Sequence, residues 1–401
     1  MTKPRSLALA LAPGTLLAGV AGGIVFPIFP AVGKEVGLSA TFIGVILGAN
    51  RAMRVVCSPS IGVMADRIGA KKTLVYGLAV QIVVIGLYLA GMLGHQEGPA
   101  FLVGRLLHGV GSACVFIAAS ALSIEAGVGA NGGATAAAVR ATIVLGTPVG
   151  FVIGGLASEA IGNVKTFVLA DIAVVLALIL AITRVPDLHA SFGKRATLRD
   201  AIAEMRDRRL LGLCGINFAL NFAAGGMVLS TLEFLVDGRQ FSIGGLDERG
   251  TSGILMAILS VTDAMFTTTA GRLGDRHHAH GKVAAWSLVI GAGGLGLIAI
   301  AHQVWVVGLG IALVGVSAAG LGPSTLVLVG EIVPANRRGT AAGLLQLCGD
   351  TGGMLGPLVG TAFFSKSSFG QYLLTAGLLL LFVPVARWLD HRPVSHASTS
   401  A

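Results

Sequence analysis

The chain has 401 residues, 54% of them hydrophobic and 12% charged, with a formal net charge of +9. A water-facing surface needs about a quarter of the residues charged, and the mean hydropathy here is +0.85, so the composition excludes a soluble enzyme and places most of the outer surface against hydrocarbon. The positive balance does not point to nucleic acid, because no basic patch interleaves with aromatic residues.

Cutting the sequence at charges and turn residues leaves twelve apolar segments, each near the roughly 20 residues that a membrane helix requires. They fall at about 7–30, 40–64, 73–94, 99–124, 134–157, 165–184, 210–236, 250–270, 283–302, 304–330, 339–363 and 371–389. The ten-residue alternation of barrel strands is absent, so the segments read as helices. The first follows Lys3 and Arg5, carries Pro27 and Pro30 near its end, and has no small-residue cleavage motif, so we expect a membrane helix and not a removed leader.

Polar residues inside these segments are the sharper signal, since a charge at the bilayer centre costs on the order of 3 kcal/mol on insertion scales. The second segment holds Arg51 and Arg54 one turn apart near its middle, and the fourth holds Arg105 and His108 at the same spacing. The seventh places Asn217 and Asn221 on one face; Asp263 lies mid-span in the eighth, and Gln346 and Asp350 in the eleventh. The first half thus contributes arginines and the second contributes aspartates. Two readings of the arginines stay open: recognition of an anionic substrate, or structural ion pairs such as Arg51 with Asp350. The rigid donor fork of arginine suits a carboxylate or phosphate. Asp263 and Asp350 are the acids near mid-span that could carry a coupled proton, and Asn217, Asn221 and Gln346 would complete a substrate site with the arginines.

Other chemistry finds no support. Cys57, Cys114, Cys214 and Cys348 sit in apolar stretches without ligand spacing and read as packing residues. His277, His278 and His280 share a short loop with only Asp275 near, so no metal is expected. Glycine strings lack a preceding strand, there is no Walker motif, and no cofactor is implied.

The densest charge falls in the loop near 185–209, where Leu198, Ile202 and Met205 recur at helical spacing and predict an amphipathic surface helix. It divides the chain into an N-terminal six-helix bundle (1–185), a linker (186–209) and a C-terminal bundle with a short tail (210–401). Placing the N-terminus inside and alternating puts 19 lysines and arginines on the cytoplasmic side and 5 opposite, a positive-inside pattern with both termini cytoplasmic.

The halves repeat. Gly62-Val63-Met64-Ala65-Asp66-Arg67-Ile68-Gly69-Ala70-Lys71-Lys72 follows segment two, and Gly271-Arg272-Leu273-Gly274-Asp275-Arg276 follows segment eight. A second match aligns Glu125 with Glu331, Arg140 with Gln346 and Gly146 with Gly352. Repeated six-helix halves are the build of a secondary transporter. The first loop resembles the signature loop of the major facilitator superfamily. Phe26-Pro27-Ile28-Phe29-Pro30 and Arg105-Leu106-Leu107-His108-Gly109 are similar to its proton-linked drug-efflux branch. Gly146-Thr147-Pro148-Val149-Gly150 departs from that branch, in which a glycine usually precedes the proline; Gly356-Pro357-Leu358-Val359-Gly360 is a cleaner copy.

The resemblance implies an all-α integral membrane protein with twelve transmembrane helices in two pseudo-symmetric six-helix bundles, working as a monomer. It implies a role in proton coupling for Arg105, with His108 beside it. It also implies a gate on the cytoplasmic side built from Asp66, Arg67 and Glu125, and in the repeat from Asp275, Arg276 and Glu331. The expectation is proton-coupled export of a small amphipathic, anion-bearing molecule through the inner membrane, with import of an organic anion as the alternative. A membrane enzyme or receptor would need a clustered catalytic set or a sizeable soluble domain, and neither is legible.

Overall fold

A computed structural model of the chain describes residues 4–126, 132–186, 207–333, 338–364 and 368–390. Among the described residues there is no strand, and the helices run as follows. Helix α1 has two pieces, Pro4–Val25 and Ile28–Glu35. Then come α2 (Ala40–Ile68), α3 (Ala70–Leu93), α4 (Glu97–Ala126), α5 (Gly132–Ile161) and α6 (Asn163–Arg184). Helix α7 has three pieces, Arg208–Leu220, Asn221–Val228 and Leu229–Gly238. After it come α8 (Glu248–His277), α9 (His280–Ile300), α10 (Val304–Ile332) and α11 (Arg338–Phe364), and α12 is Ser368–Leu381 followed by Val383–Asp390. Ten of these are long and apolar enough to cross a membrane, and α5 contains a shorter apolar helix, Leu145–Ile161. This is a multi-pass membrane protein. The amphipathic helix expected around 198–205 lies outside the described residues.

Two elements differ from the sequence reading for identifiable reasons. The first span does not run unbroken to residue 30: it stops at Val25 and restarts to reach Glu35. Pro27 has no N–H to donate and disfavours helical geometry in the residue before it; Phe26 N turns back to Gly23 O at 3.1 Å. In α7, Asn221–Val228 winds as a wide π turn. Such turns are rare and are frequent at functional sites.

Caps fix several helix starts. Ser39 Oγ accepts from Phe42 N to open α2, and Asp247 accepts from the N–H groups of Arg249 and Gly250 to open α8. Between α2 and α3 the chain turns on one residue, Gly69, at φ +91°, a left-handed value open to glycine.

Helices alternate in direction, so the start of α1 and the finish of α12 share one end, here termed the terminal end. The α1–α2, α5–α6 and α7–α8 connections share the distal end. Among the described residues, apolar side chains gather in two large clusters and a small third one around Ile61, Ala113 and Cys114. One large cluster is drawn from residues 11–185 with Phe234, the other from 210–389 with Phe151. In the first, Phe29 packs edge-on against Tyr88 and Phe101 with ring centroids 5.0 and 4.9 Å apart, and Phe167 lies at 6.1 Å. Phe29→Ala should cost about 3–5 kcal/mol, read as a lowered thermal midpoint of the solubilised protein with its helical content intact. An unchanged midpoint would show that the aromatic cluster does not hold the first half together.

The halves touch along α2 with α11 and α5 with α8. Glycines permit the approach. A methyl group added at Gly48 would lie 2.6 Å from Met354 O, and one at Gly253 would lie 2.6 Å from Phe151 O. These positions fall in the distal parts of their helices, so the contact between halves is concentrated there.

Candidate functional site

Helix α2 presents Arg51 and Arg54 to α11, and α11 answers with Asp350. Arg54 Nε donates to Asp350 Oδ2 at 3.0 Å, and its Nη2 donates to Oδ1. Arg51 Nη1 stands 3.5 Å from the same Oδ1. Two guanidinium groups therefore share one carboxylate, leaving the cluster with a surplus positive charge. The Asp350 side chain is 5% exposed, while those of Arg51 and Arg54 remain 25% and 21% exposed, with donors to spare.

Small residues make the space. A Cβ at Gly353 would fall 2.6 Å from Arg51 Cδ and Nη1, and one at Gly225 would meet Arg51 Nη2 at 3.0 Å. Gly225 belongs to the π turn of α7, which thus approaches the arginine. Just before that turn, Asn217 Nδ2 donates to Leu345 O at 2.6 Å, and at its first residue Asn221 Nδ2 donates to Asn217 O at 3.0 Å. A Cβ at Gly349 would meet both asparagine amides, at 2.6 and 2.9 Å. The structure thus brings Arg51, Arg54, Asp350, Asn217 and Asn221 to one place where α2, α7 and α11 converge.

The remaining sequence candidates lie elsewhere. Gln346 is exposed on α11, one turn before Asp350. Asp263 is half-buried on α8, accepts from Thr267 Oγ1 at 3.2 Å, and has no cation within ion-pair distance among the described residues. Arg105 belongs to the interior of the first half: it donates to Leu47 O at 3.1 Å and Ile46 O at 3.4 Å, and lies over the rings of Phe26 and Phe29. With His108, Gln81 and Tyr88 it lines a small buried cavity.

At the terminal end, Arg67 is exposed, and the side chains of Asp66 and Glu125 lie outside what is described. Asp275 faces His280, with Oδ1 and Nε2 3.1 Å apart. Arg276 and Glu331 are exposed and make no ion pair with each other. Among the described residues, the ion pairs that cross between halves, besides the central one, are distal. Lys34 Nζ stands 2.8 Å from Asp237 Oδ2 and 3.0 Å from Glu233 Oε1, and Arg249 pairs with Glu35. Sequence reasoning passed over these groups because charges at helix ends are ordinary. Glu233 carried a usable signal, a lone acid inside the apolar run 210–236.

Comparison with known proteins agrees with this architecture. The sequence pattern of the Major Facilitator Superfamily matches residues 11–248 and 246–401. The class G tetracycline resistance protein of Vibrio anguillarum is 25% identical, covering 91% of this chain and 93% of its own length. The multi-drug resistance efflux pump PmrA homolog of Lactococcus lactis subsp. lactis (strain IL1403) is 22% identical, with 94% and 93% covered. Among solved structures, the human organic anion transporter MFSD10 (TETRAN) superposes with a TM-score of 0.71 at 19% identity, covering 96% of this chain and all of its own. The nucleoside transporter NupG gives 0.79 at 14% identity, with 96% and 99% covered. The chain belongs to the major facilitator superfamily and is a membrane transporter, not an enzyme.

Proposed function

We propose that the protein exports a small amphipathic molecule bearing an anionic group, in exchange for protons, by rocking residues 1–185 against 210–401. One observation carries the anionic preference: two arginines, still partly exposed, share the single carboxylate of Asp350 at the junction of the halves. A substrate carboxylate or phosphate would take up the surplus charge through charge-assisted, bidentate hydrogen bonds. Support for export comes from relatives named for tetracycline resistance and drug efflux. The structural neighbour named as an organic anion transporter fits the anionic site.

In this reading the lysine- and arginine-rich terminal end faces the cytoplasm of a bacterial inner membrane. The conformer, packed shut distally, is then inward-facing, with the site reached from the cytoplasm by a protein acting as a monomer. The terminal gate of Asp66, Arg67, Glu125, Asp275, Arg276 and Glu331 would engage in the opposite conformer.

Asp263 is the stronger candidate for the coupled proton. No described cation is committed to it, whereas Asp350 is held by two guanidiniums; Arg105 and His108 would assist from the first half. Import gains from one feature of the same cluster. A proton placed on Asp350 frees both arginines for a substrate anion, which would load anion and proton together. Proteoliposomes with an imposed proton gradient separate the readings, using a panel of organic acids and their neutral esters: export predicts exchange against protons, import predicts movement with them. Asp263→Asn should abolish gradient-driven accumulation while leaving substrate binding within about twofold. Full gradient-driven transport in that variant would remove Asp263 from the coupling route.

A further inference from the structure

Inside the first half, Arg105 is a cation without a counter-charge. It is buried, and among the described residues no carboxylate lies within ion-pair distance of it. Two of its five N–H groups are used, by Leu47 O and Ile46 O, which leaves three. The rings of Phe26 and Phe29, centred 5.8 and 5.3 Å from its Cζ, compensate the charge only in part. The guanidinium lines a cavity with about 10 Å³ of room for the centre of a water-sized particle, enough for about one such particle. The other polar groups of the wall are Gln81 and Tyr88 from α3 and His108 from α4; the rest is apolar, and no acid belongs to it. The Tyr88 hydroxyl is buried near the guanidinium, out of hydrogen-bonding geometry with it or with any other described group.

We propose that this cavity binds one small inorganic anion, of the size of chloride, as the counter-ion of Arg105. The reasoning is electrostatic. A buried charge is costly unless it is paired. Water in the cavity would engage the donors but leave the charge uncompensated, whereas a halide does both. Each polar group of the wall can donate: the guanidinium, the phenol, the Gln81 amide and one N–H of the His108 ring. Donors around a fixed positive charge select an anion over a cation. The size of the space excludes an organic acid, so the site is distinct from the one around Arg51 and Arg54. The long side chains of Gln81 and Arg105 can yield the little by which chloride exceeds water in radius. Neither the direction of transport nor its substrate enters the inference.

The test titrates sodium chloride into the solubilised full chain in place of sodium gluconate, at constant ionic strength, and follows the thermal midpoint. The expected result is a saturable rise with chloride, because a ligand of the folded chain stabilises it by mass action. Tyr88→Phe keeps the ring that packs on Phe29 and removes only the hydroxyl. It should raise the half-saturating chloride concentration about tenfold, the loss expected for one hydrogen bond to a charged group. Gln81→Glu places a carboxylate in the wall. Its midpoint in gluconate should approach that of the wild type in chloride, and chloride should then add little. Arg51→Gln should keep the full chloride response. If Gln81→Glu does not fold, Tyr88→Phe and Arg51→Gln carry the test together. A wild-type midpoint equal in the two salts overturns the site, as does a response lost in Arg51→Gln and unchanged in Tyr88→Phe. The measurement involves no gradient and no organic acid, so its failure and that of the transport reading are read separately.

Discussion

Replacing Arg51 with glutamine is expected to lower transport of acidic substrates by about ten- to a hundredfold, and that of their neutral esters far less. A hydrogen bond to a charged group contributes about 1.5–3 kcal/mol net, and each 1.4 kcal/mol is a factor of ten in affinity. Arg51 is the right residue to test because it is the looser of the two. Arg54 is clasped by both oxygens of Asp350, whereas Arg51 reaches only one, at 3.5 Å, and keeps donors for another partner. Arg51→Lys should fall between the wild type and Arg51→Gln, since an ammonium supplies the charge but not the parallel donors. The space is cut for a guanidinium, with Gly353 and Gly225 pressed against it. The competing reading, an arginine needed only to balance Asp350, predicts something different: equal loss for acids and esters, together with a lowered thermal midpoint. That outcome would end the claim of anion recognition at this site.

The fold was legible because the solvent imposes it. Twelve apolar runs of span length and a charge-rich loop near 185–209 leave little freedom once every backbone group must be bonded within the membrane. The departures came where single residues act on the backbone. Pro27 breaks α1 and lets Ile28–Glu35 extend further than the apolar run suggested. The π turn at Asn221–Val228 has no periodic signature, since it adds only a small change of phase within an apolar helix. The central site was half legible. Charges inside apolar spans identify Arg51, Arg54 and Asp350 as costly residues that must find partners, but not which partner each takes. That both arginines converge on Asp350 depends on the crossing of α2 and α11, which is set by glycine contacts such as Gly353 on Arg51. Gln346 looked equivalent to Asp350 by position, yet its side chain is exposed while that of Asp350 is buried. The distal pairs were hidden for a different reason: Lys34 and Asp237 sit where any membrane helix may carry charge, and only the closed arrangement of two halves gives them meaning.

Gly48→Leu is expected to abolish transport without removing the substrate site. Gly48 lies on the distal side of Arg51 along α2, where even one added carbon would fall 2.6 Å from Met354 O. The obstacle is backbone, which cannot swing aside as a flexible side chain would. Overpacking of this kind costs about 1–3 kcal/mol, and a leucine brings three further carbons than that first contact. A penalty of about 3 kcal/mol confined to the closed conformer would shift its ratio to the open one by more than a hundredfold. The same substitution costs nothing when α2 and α11 have separated. The variant should therefore hold a longer distance than the wild type between spin labels on Val164, at the distal start of α6, and Gln240, just after α7, both exposed, with anions still bound through Arg51 and Arg54. Gly86→Leu is the control, because its added carbon meets nothing within 4 Å, and it should transport normally. If Gly48→Leu transported at the wild-type rate, the α2–α11 contact could not be a surface that opens and closes during the cycle, and the rocking of the two halves would have to turn about a different line.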